Sequence, residues 1–201
     1  MTEHSSSPTG SSRIRTLAFW CTTLVIVFEL IAGSAWNLLT IDWVEDQMGH
    51  LGYPDYFPSL LGVWHLGAAV AIVLPGLRLI KEWAYAGVFF LWSGAVVSHL
   101  ARGDGLVSWG PPLMFLAFAV ASWTLRPADR RLQALRLRRD RRSADAARER
   151  TGRPETRPRD WAVSIGLIVV VSAVSLLTLP AAEEITSGWA VERGWADEHR
   201  P

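Results

Sequence analysis

Two long apolar stretches, separated by a few charged residues, limit what this chain can fold into more than any other feature. The first is SLLGVWHLGAAVAIVLPGL (Ser59–Leu77) and the second is WAYAGVFFLWSGAVVSHL (Trp83–Leu100). Each is close to the about 20 apolar residues that an α-helix needs to cross a bilayer. The residues between them include Arg78, Lys81 and Glu82, which are too polar for hydrocarbon. The sequence therefore predicts two membrane helices joined by a short basic turn.

Three further apolar stretches have the same character, and they are Thr16–Ala35, Leu106–Leu125 and Trp161–Pro180. Pro111 and Pro112 fall in the first turns of the second of these, where a helix tolerates proline. Half of all residues are hydrophobic and 19% are charged, and the apolar residues come in blocks. We therefore predict an all-α, polytopic membrane protein, a four-helix transmembrane bundle with a fifth, C-terminal transmembrane helix.

The composition divides the chain into five segments. Residues 1–15 are rich in Ser, Thr, Gly and Pro and predict a disordered tail, whereas 16–127 form the four-helix bundle. Residues 128–160 form a basic cytoplasmic segment, 161–180 the fifth helix, and 181–201 a short extracytoplasmic tail. Between the first two membrane helices, apolar residues recur at helical spacing and predict a short amphipathic surface helix; they are Leu38, Ile41, Val44, Met48 and Leu51.

The basic residues predict the orientation. With the N-terminus in the cytoplasm, 17 basic residues lie inside, and they are Arg13, Arg15, Arg78, Lys81 and the thirteen arginines of 126–160. Three basic residues then lie outside, and they are Arg102, Arg193 and Arg200. Because basic residues accumulate on the cytoplasmic side, we expect a bacterial plasma-membrane protein with a cytoplasmic N-terminus and an extracytoplasmic C-terminus.

The arginines of the basic segment suggest two kinds of partner. Arginine runs contact the phosphates of nucleic acids, but they also contact anionic lipid headgroups beside a bilayer. Because the segment lies directly between two predicted membrane helices, we expect its partner to be lipid headgroups and expect no nucleic acid. The arginines that we expect to contact headgroups are Arg130, Arg131, Arg138, Arg139, Arg141 and Arg142.

Three ionisable residues fall inside the predicted membrane helices: Glu29, His65 and His99. Such residues are costly in a membrane and usually face the interior of the bundle. Counted along helices of alternating direction, all three lie in the outer half of the bilayer. Small residues accompany each of them at helical spacing, which favours close helix contact. We therefore predict a shared pocket, with Asn37 and Asp104 at its mouth.

The pocket has three interpretations from the residues alone. Its polar groups could serve as hydrogen bonds between helices, as a pocket for a hydrophobic ligand or a quinone, or as ligands of a metal. The three ionisable residues come from three helices and have no metal-binding spacing, so no metal site is expected. The single cysteine, Cys21, excludes an intrachain disulfide and a dithiol relay.

Six short motifs suggest a family. They are LGYPDYF (Leu51–Phe57), LGVWHLGAA (Leu61–Ala69), KEWAYAG (Lys81–Gly87), Ser98–His99, GDG (Gly103–Gly105) and SWTLRP (Ser122–Pro127). Together, over about residues 17–127, the sequence resembles the bacterial DoxX-like family. The resemblance implies a four-helix membrane bundle, and the family name comes from a subunit of an archaeal thiosulfate:quinone oxidoreductase. His99 matches the Ser-His of the family, whereas His65 and Asn37 stand where many relatives have lysine.

The residues and the resemblance together suggest an accessory component of membrane redox or quinone-linked metabolism. Its lipophilic-ligand pocket would lie in the outer half of the bundle, and its cofactor, if it has one, would be a quinone. The sequence supplies no redox cofactor site of its own. The alternative is a non-enzymatic membrane scaffold that binds another membrane protein subunit through the fifth helix or the arginine segment. A transporter is less favoured, because no inverted repeat is evident.

Overall fold

The computed structural model describes residues 9–126, 158–186 and 188–195, and within these ranges every regular element is a helix. The helices are α1 (Thr9–Leu39), α2 (Asp42–Leu51), α3 (Phe57–Val73), α4 (Arg78–Ala101), α5 (Leu106–Leu125), α6 (Pro158–Leu177), α7 (Leu179–Thr186) and α8 (Trp189–Glu192). The predicted all-α fold is confirmed. The predicted bounds of the fourth membrane helix agree with α5, and both of its prolines lie inside that helix.

Three helices are long and apolar enough to cross a membrane, and they are Arg13–Leu39 of α1, α4 and α5. A fourth candidate is the pair formed by α6 with α7 and α8, which bends by 47° after Leu177. Helix α3 is equally apolar but has 17 residues. The described residues therefore contain three candidate membrane spans, or up to four if the bent pair is one span.

Helix α1 packs against α3, α5 and α6, and α4 completes the bundle between α3 and α5. The core is made of apolar side chains that these helices direct inward, among them Leu30, Ala69, Val88 and Trp92. Large apolar side chains on the outside remain exposed, such as Phe90 of α4. A helix that is apolar on its outer face as well as its inner face is typical of a lipid-facing position.

Helices α1 and α3 approach each other closely at Gly62. The Ser34 hydroxyl of α1 donates a hydrogen bond to the Gly62 carbonyl oxygen at 2.8 Å. A Cβ atom at position 62 would lie 2.6 Å from Cγ of Leu38, which is closer than two carbon atoms can approach. The absence of a side chain at Gly62 therefore permits the contact, as in other membrane helix pairs.

The predicted surface helix is confirmed as α2. It ends at Gly52, which has the left-handed backbone conformation (φ 80°) that glycine adopts without strain. The Gly52 N–H donates to the Gly49 carbonyl, and the Tyr53 N–H donates to the Met48 carbonyl. Val44 is buried on the inner face of α2, so the apolar side of this helix packs on the bundle.

The predicted basic turn is wrong in detail. Arg78, Lys81 and Glu82 lie in the first turns of α4, and the chain reverses before them at residues 74–77, where Gly76 has φ 86°. The Lys81 ammonium donates to the Ile72 carbonyl oxygen at 2.6 Å. Carbonyls in the last turn of a helix lack intrahelical partners. Lys81 therefore lies in α4, and its side chain is hydrogen-bonded to the end of α3.

The other helix ends also differ from the predictions. Helix α1 begins at Thr9, so residues 9–15 are helical although the sequence placed them in a disordered tail. The fifth helix ends at Leu177, and Pro180 falls at the start of α7, because proline cannot continue the preceding helix. The predictions for residues 1–8, 127–157 and 196–201 lie outside the described residues. These include Arg130, Arg131, Arg138, Arg139, Arg141 and Arg142.

Candidate functional site

A carboxylate between two imidazoles occupies the end of the bundle that carries α2. Asp104 lies in the connection between α4 and α5, and His99 lies in the last turn of α4. His99 Nδ1–H donates to Asp104 Oδ2 at 2.6 Å, and His50 Nε2–H donates to Asp104 Oδ1 at 2.9 Å. His99 is almost fully buried, and its Nε2 accepts a hydrogen bond from the Gln47 amide at 3.4 Å. We call these four residues the outer polar group.

The surroundings of Asp104 keep its carboxylate ionised. Burial alone would raise the pKa of Asp104, but the hydrogen bonds from His99 and His50 and the charges that these rings can carry lower it below its usual value. The outer polar group therefore contains a fixed negative charge at neutral pH.

Stability in acid tests this arrangement. Because the pKa of Asp104 is lowered in the folded state, its carboxylate stabilises the fold above about pH 4 and loses that effect as the pH falls through the lowered value. We expect the unfolding temperature of the purified protein to fall between pH 4 and 2, and to fall less in Asp104→Asn. Asp55→Asn, at an exposed carboxylate, is the control. An Asp104→Asn profile that parallels the wild type would contradict the assignment.

A second group of polar side chains lies between α1 and α3, around Gly33. A Cβ atom at Gly33 would lie 3.6 Å from His65 Nδ1 and 3.7 Å from Glu29 Oε1, so both side chains border the space beside this glycine. The Asn37 amide donates to the Gly33 carbonyl at 2.7 Å. His65 and Asn37 are each 8% exposed. We call these residues the inner polar group.

Two buried atoms of the inner polar group have no hydrogen-bond partner. They are Nδ1 of His65 and Oδ1 of Asn37, neither of which is bonded within the described part of the chain. Leaving a buried polar atom unpaired costs about 1–3 kcal/mol. Unpaired buried atoms are rare in folded proteins, so each one needs an explanation. A bound ligand that pairs with the atom is one such explanation.

The five residues predicted for the pocket thus form two groups. Glu29, His65 and Asn37 surround Gly33, whereas His99 and Asp104 are bonded to each other. No hydrogen bond or ion pair between the described residues links the two groups. Nor do residues 9–126, 158–186 and 188–195 contain three or more His, Cys, Asp or Glu side chains arranged to hold a metal ion. The single shared pocket stays a prediction.

A third polar group was missed from the sequence. At the opposite end of the bundle, the Ser122 hydroxyl is hydrogen-bonded to Thr23 Oγ1 at 2.7 Å and to the Tyr85 hydroxyl at 2.8 Å. These three side chains come from α5, α1 and α4. All three residues are buried, and Ser122 is fully so. The hydroxyl chain therefore ties three helices together inside the apolar core.

The same end carries an ion pair whose arginine is buried. Arg126 follows α5, donates to Glu82 Oε1, and lies over the Tyr85 ring with Cζ 5.4 Å from its centroid. The Trp123 indole N–H donates to Glu82 Oε2 at 2.8 Å. Two of the quoted motifs, KEWAYAG and SWTLRP, supply these side chains. Their joint occurrence is the available signal, but the prediction of the orientation groups Arg126 with the other arginines of 126–160.

The fold and its polar groups define a class of protein: a helical bundle with helices that can span a membrane and polar side chains between them. The sequence profile of the DoxX-like family matches residues 21–122 of the 201, and the chain belongs to this family. The matched range covers α2–α4 and most of α1 and α5, and it includes both polar groups described around Gly33 and Asp104. No curated protein and no solved structure matches the chain.

Proposed function

We propose that this DoxX-like membrane protein binds a lipophilic quinol at the inner polar group and serves as an accessory component of membrane redox or quinone-linked metabolism. The observation that carries the proposal is the pair of buried, unpartnered atoms, His65 Nδ1 and Asn37 Oδ1. A ligand that donates hydrogen bonds to both atoms would remove the cost of leaving them unpaired.

A quinol has the chemistry that these atoms need. Its two hydroxyl groups are hydrogen-bond donors, whereas an amide oxygen and an unprotonated imidazole nitrogen are acceptors. Its ring and isoprenoid tail are apolar, as are exposed side chains of α1 and α3 such as Phe28 and Val63. Glu29 borders the same space and could accept a hydroxyl hydrogen bond when ionised. Ligand pockets with a few convergent polar groups in apolar walls have this composition.

The outer polar group would serve the pocket as its proton acceptor. His99 is oriented by Asp104, and its Nε2 would accept a proton once the Gln47 amide releases it. In this proposal, protons that a quinol gives up leave through His99 and Asp104 at the mouth. A partner subunit of the membrane would supply the electron chemistry.

Quinol affinity tests the proposal. We expect His65→Ala to weaken the binding of decylubiquinol to the purified full-length protein at least about tenfold, because it removes one buried acceptor. Binding is measured by the concentration of quinol that raises the unfolding temperature in detergent. His50→Ala is the matched control, since His50 lies on α2, and it should keep the wild-type affinity. Equal affinities in His65→Ala and the wild type would contradict the proposed pocket.

We further propose that α1, α3, α4, α5 and α6 all cross the bacterial plasma membrane, with the N-terminus in the cytoplasm. The Ser164 hydroxyl of α6 donates to the Val73 carbonyl at the end of α3, so α6 begins at the end of the bundle where α3 finishes. At the other end α8 packs on α2. The arginines of 126–160 would then contact anionic lipid on the cytoplasmic side.

Reporter fusions test this topology. Alkaline phosphatase is active only outside the cytoplasm, so a fusion after residue 201 should be active and one after residue 140 should be inactive. The control is a fusion after Gly105, in the connection that carries Asp104, which should match the C-terminal fusion. The opposite pattern would show that the N-terminus lies outside the cytoplasm. Equal activity of both test fusions would show that α6 does not cross the membrane.

A further inference from the structure

The residues after α7 cover the outer polar group with an aromatic side chain. The Trp195 ring is nearly parallel to the His50 ring, with centroids 4.8 Å apart and 16° between the planes. It is also nearly parallel to the His99 ring at 5.7 Å and 20°, and to the Trp43 ring at 5.0 Å and 29°. One indole thus stacks on three rings at once.

Three of the four ring nitrogens of the two imidazoles are already hydrogen-bonded, so the ring faces are the main surface that remains for a ligand. His50 Nε2 and His99 Nδ1 are bonded to Asp104, and His99 Nε2 is bonded to Gln47. Hydrogen bonds that run through the ring planes hold both rings at similar tilts to Trp195. The result is a flat surface that recognises a planar ring by stacking.

The charges around this surface select the kind of ring. The Asp104 carboxylate accepts an N–H hydrogen bond from each imidazole. The Arg193 guanidinium lies 5.0 Å from the Trp43 centroid and 5.6 Å from the Trp195 centroid. Cations and polarised N–H groups attract the face of an electron-rich ring, such as an indole or a phenol, more strongly than the face of an electron-poor ring.

We propose that His50, His99 and Trp43 form a binding site for an electron-rich planar ring, and that the chain keeps this site closed with its own Trp195. The site residues lie within the range matched to the DoxX-like family, 21–122, whereas Trp195 lies outside it. A free indole or phenol of similar shape enters when the segment carrying Trp195 swings away. The quinol would bind at the inner polar group and not at this site.

Binding of 5-fluoroindole to the full-length protein in detergent, followed by fluorine NMR, tests the proposal. We expect Trp195→Ala to bind the probe at least about tenfold more tightly than the wild type, because the competing side chain is gone. Trp195→Phe retains a ring and should stay near the wild type. Trp83→Ala is the matched control, since Trp83 is exposed near the start of α4, at the other end of the bundle.

Two further measurements keep the result specific. Adding His50→Ala to Trp195→Ala should abolish the gained affinity, and nitrobenzene, an electron-poor ring of similar size, should compete poorly with 5-fluoroindole. Equal affinity in Trp195→Ala and the wild type would overturn the proposal. So would a gain that survives the loss of His50, because the probe would then occupy a cavity made by the substitution.

Discussion

Arg126→Ala is expected to lower the free energy of unfolding of the bundle by about 3–5 kcal/mol. The Arg126 side chain is 2% exposed and that of Glu82 is 21% exposed, so the substitution leaves a largely buried carboxylate without its guanidinium. It also removes the cation from the face of Tyr85. Equilibrium unfolding in mixed micelles, in which SDS is raised against a mild detergent, measures the change.

Two variants separate the ion pair from general effects of losing an arginine. Arg102→Ala removes an exposed arginine from the connection between α4 and α5 together with its long hydrogen bond to the Leu51 carbonyl, 3.3 Å, and it should change stability by no more than about 1 kcal/mol. Arg126→Lys keeps the charge but loses the planar guanidinium, so an intermediate loss is expected. A loss in Arg126→Ala as small as that in Arg102→Ala would show that the ion pair does not hold α4 to α5.

Gly33→Ala is expected to change stability and ligand affinity in opposite directions. The added methyl would lie 3.6 Å from His65 and 3.7 Å from Glu29, which are ordinary contact distances. The helix should gain up to about 1 kcal/mol, since alanine is the better helix former. The methyl fills the space beside the unpartnered His65 nitrogen, so decylubiquinol affinity should fall at least about tenfold. Thermal unfolding with and without the quinol measures both effects.

Gly67→Ala is the matched control for this prediction. Position 67 lies in α3, and no atom would meet an added Cβ within 4 Å. This variant should gain stability in the same way and bind the quinol as the wild type does. If Gly33→Ala and Gly67→Ala bind decylubiquinol equally well, the space beside Gly33 is not the pocket. If Gly33→Ala unfolds more easily than the wild type, the inner polar group has no room for a methyl.

The sequence predicted the helices better than it predicted their ends. Blocks of apolar residues determine where a membrane helix lies, and the bounds of α5 agree with the predicted Leu106–Leu125. Because charges are costly in hydrocarbon, the charged residues near Arg78 predict a turn. The structure gives them helical conformation instead, since Lys81 can bond the end of α3 from within α4. Charge alone does not distinguish the end of one helix from the beginning of the next.

The polar groups were harder to predict, because their members come from different helices. Apolar runs such as α3 carry little information about which side of the helix faces the bundle. Glu29 and His65 could be grouped by their depth, but the partners of Asp104 depend on how α2 lies across the bundle. The bonding of Ser122 to Thr23 and Tyr85 was not predicted at all. Isolated hydroxyl side chains in apolar stretches gave no signal by themselves.

The length of α3 bears on the lipid around this protein. At 1.5 Å per residue, its 17 residues rise about 26 Å, a few ångström less than a hydrocarbon core of about 30 Å. In the proposed five-helix arrangement, acyl chains beside α3 must shorten or disorder so that Pro58 and Gly76 reach the headgroups. Hydrophobic mismatch of this kind sorts proteins among membranes of different thickness. We therefore expect short-chain or unsaturated lipids to be enriched beside α3.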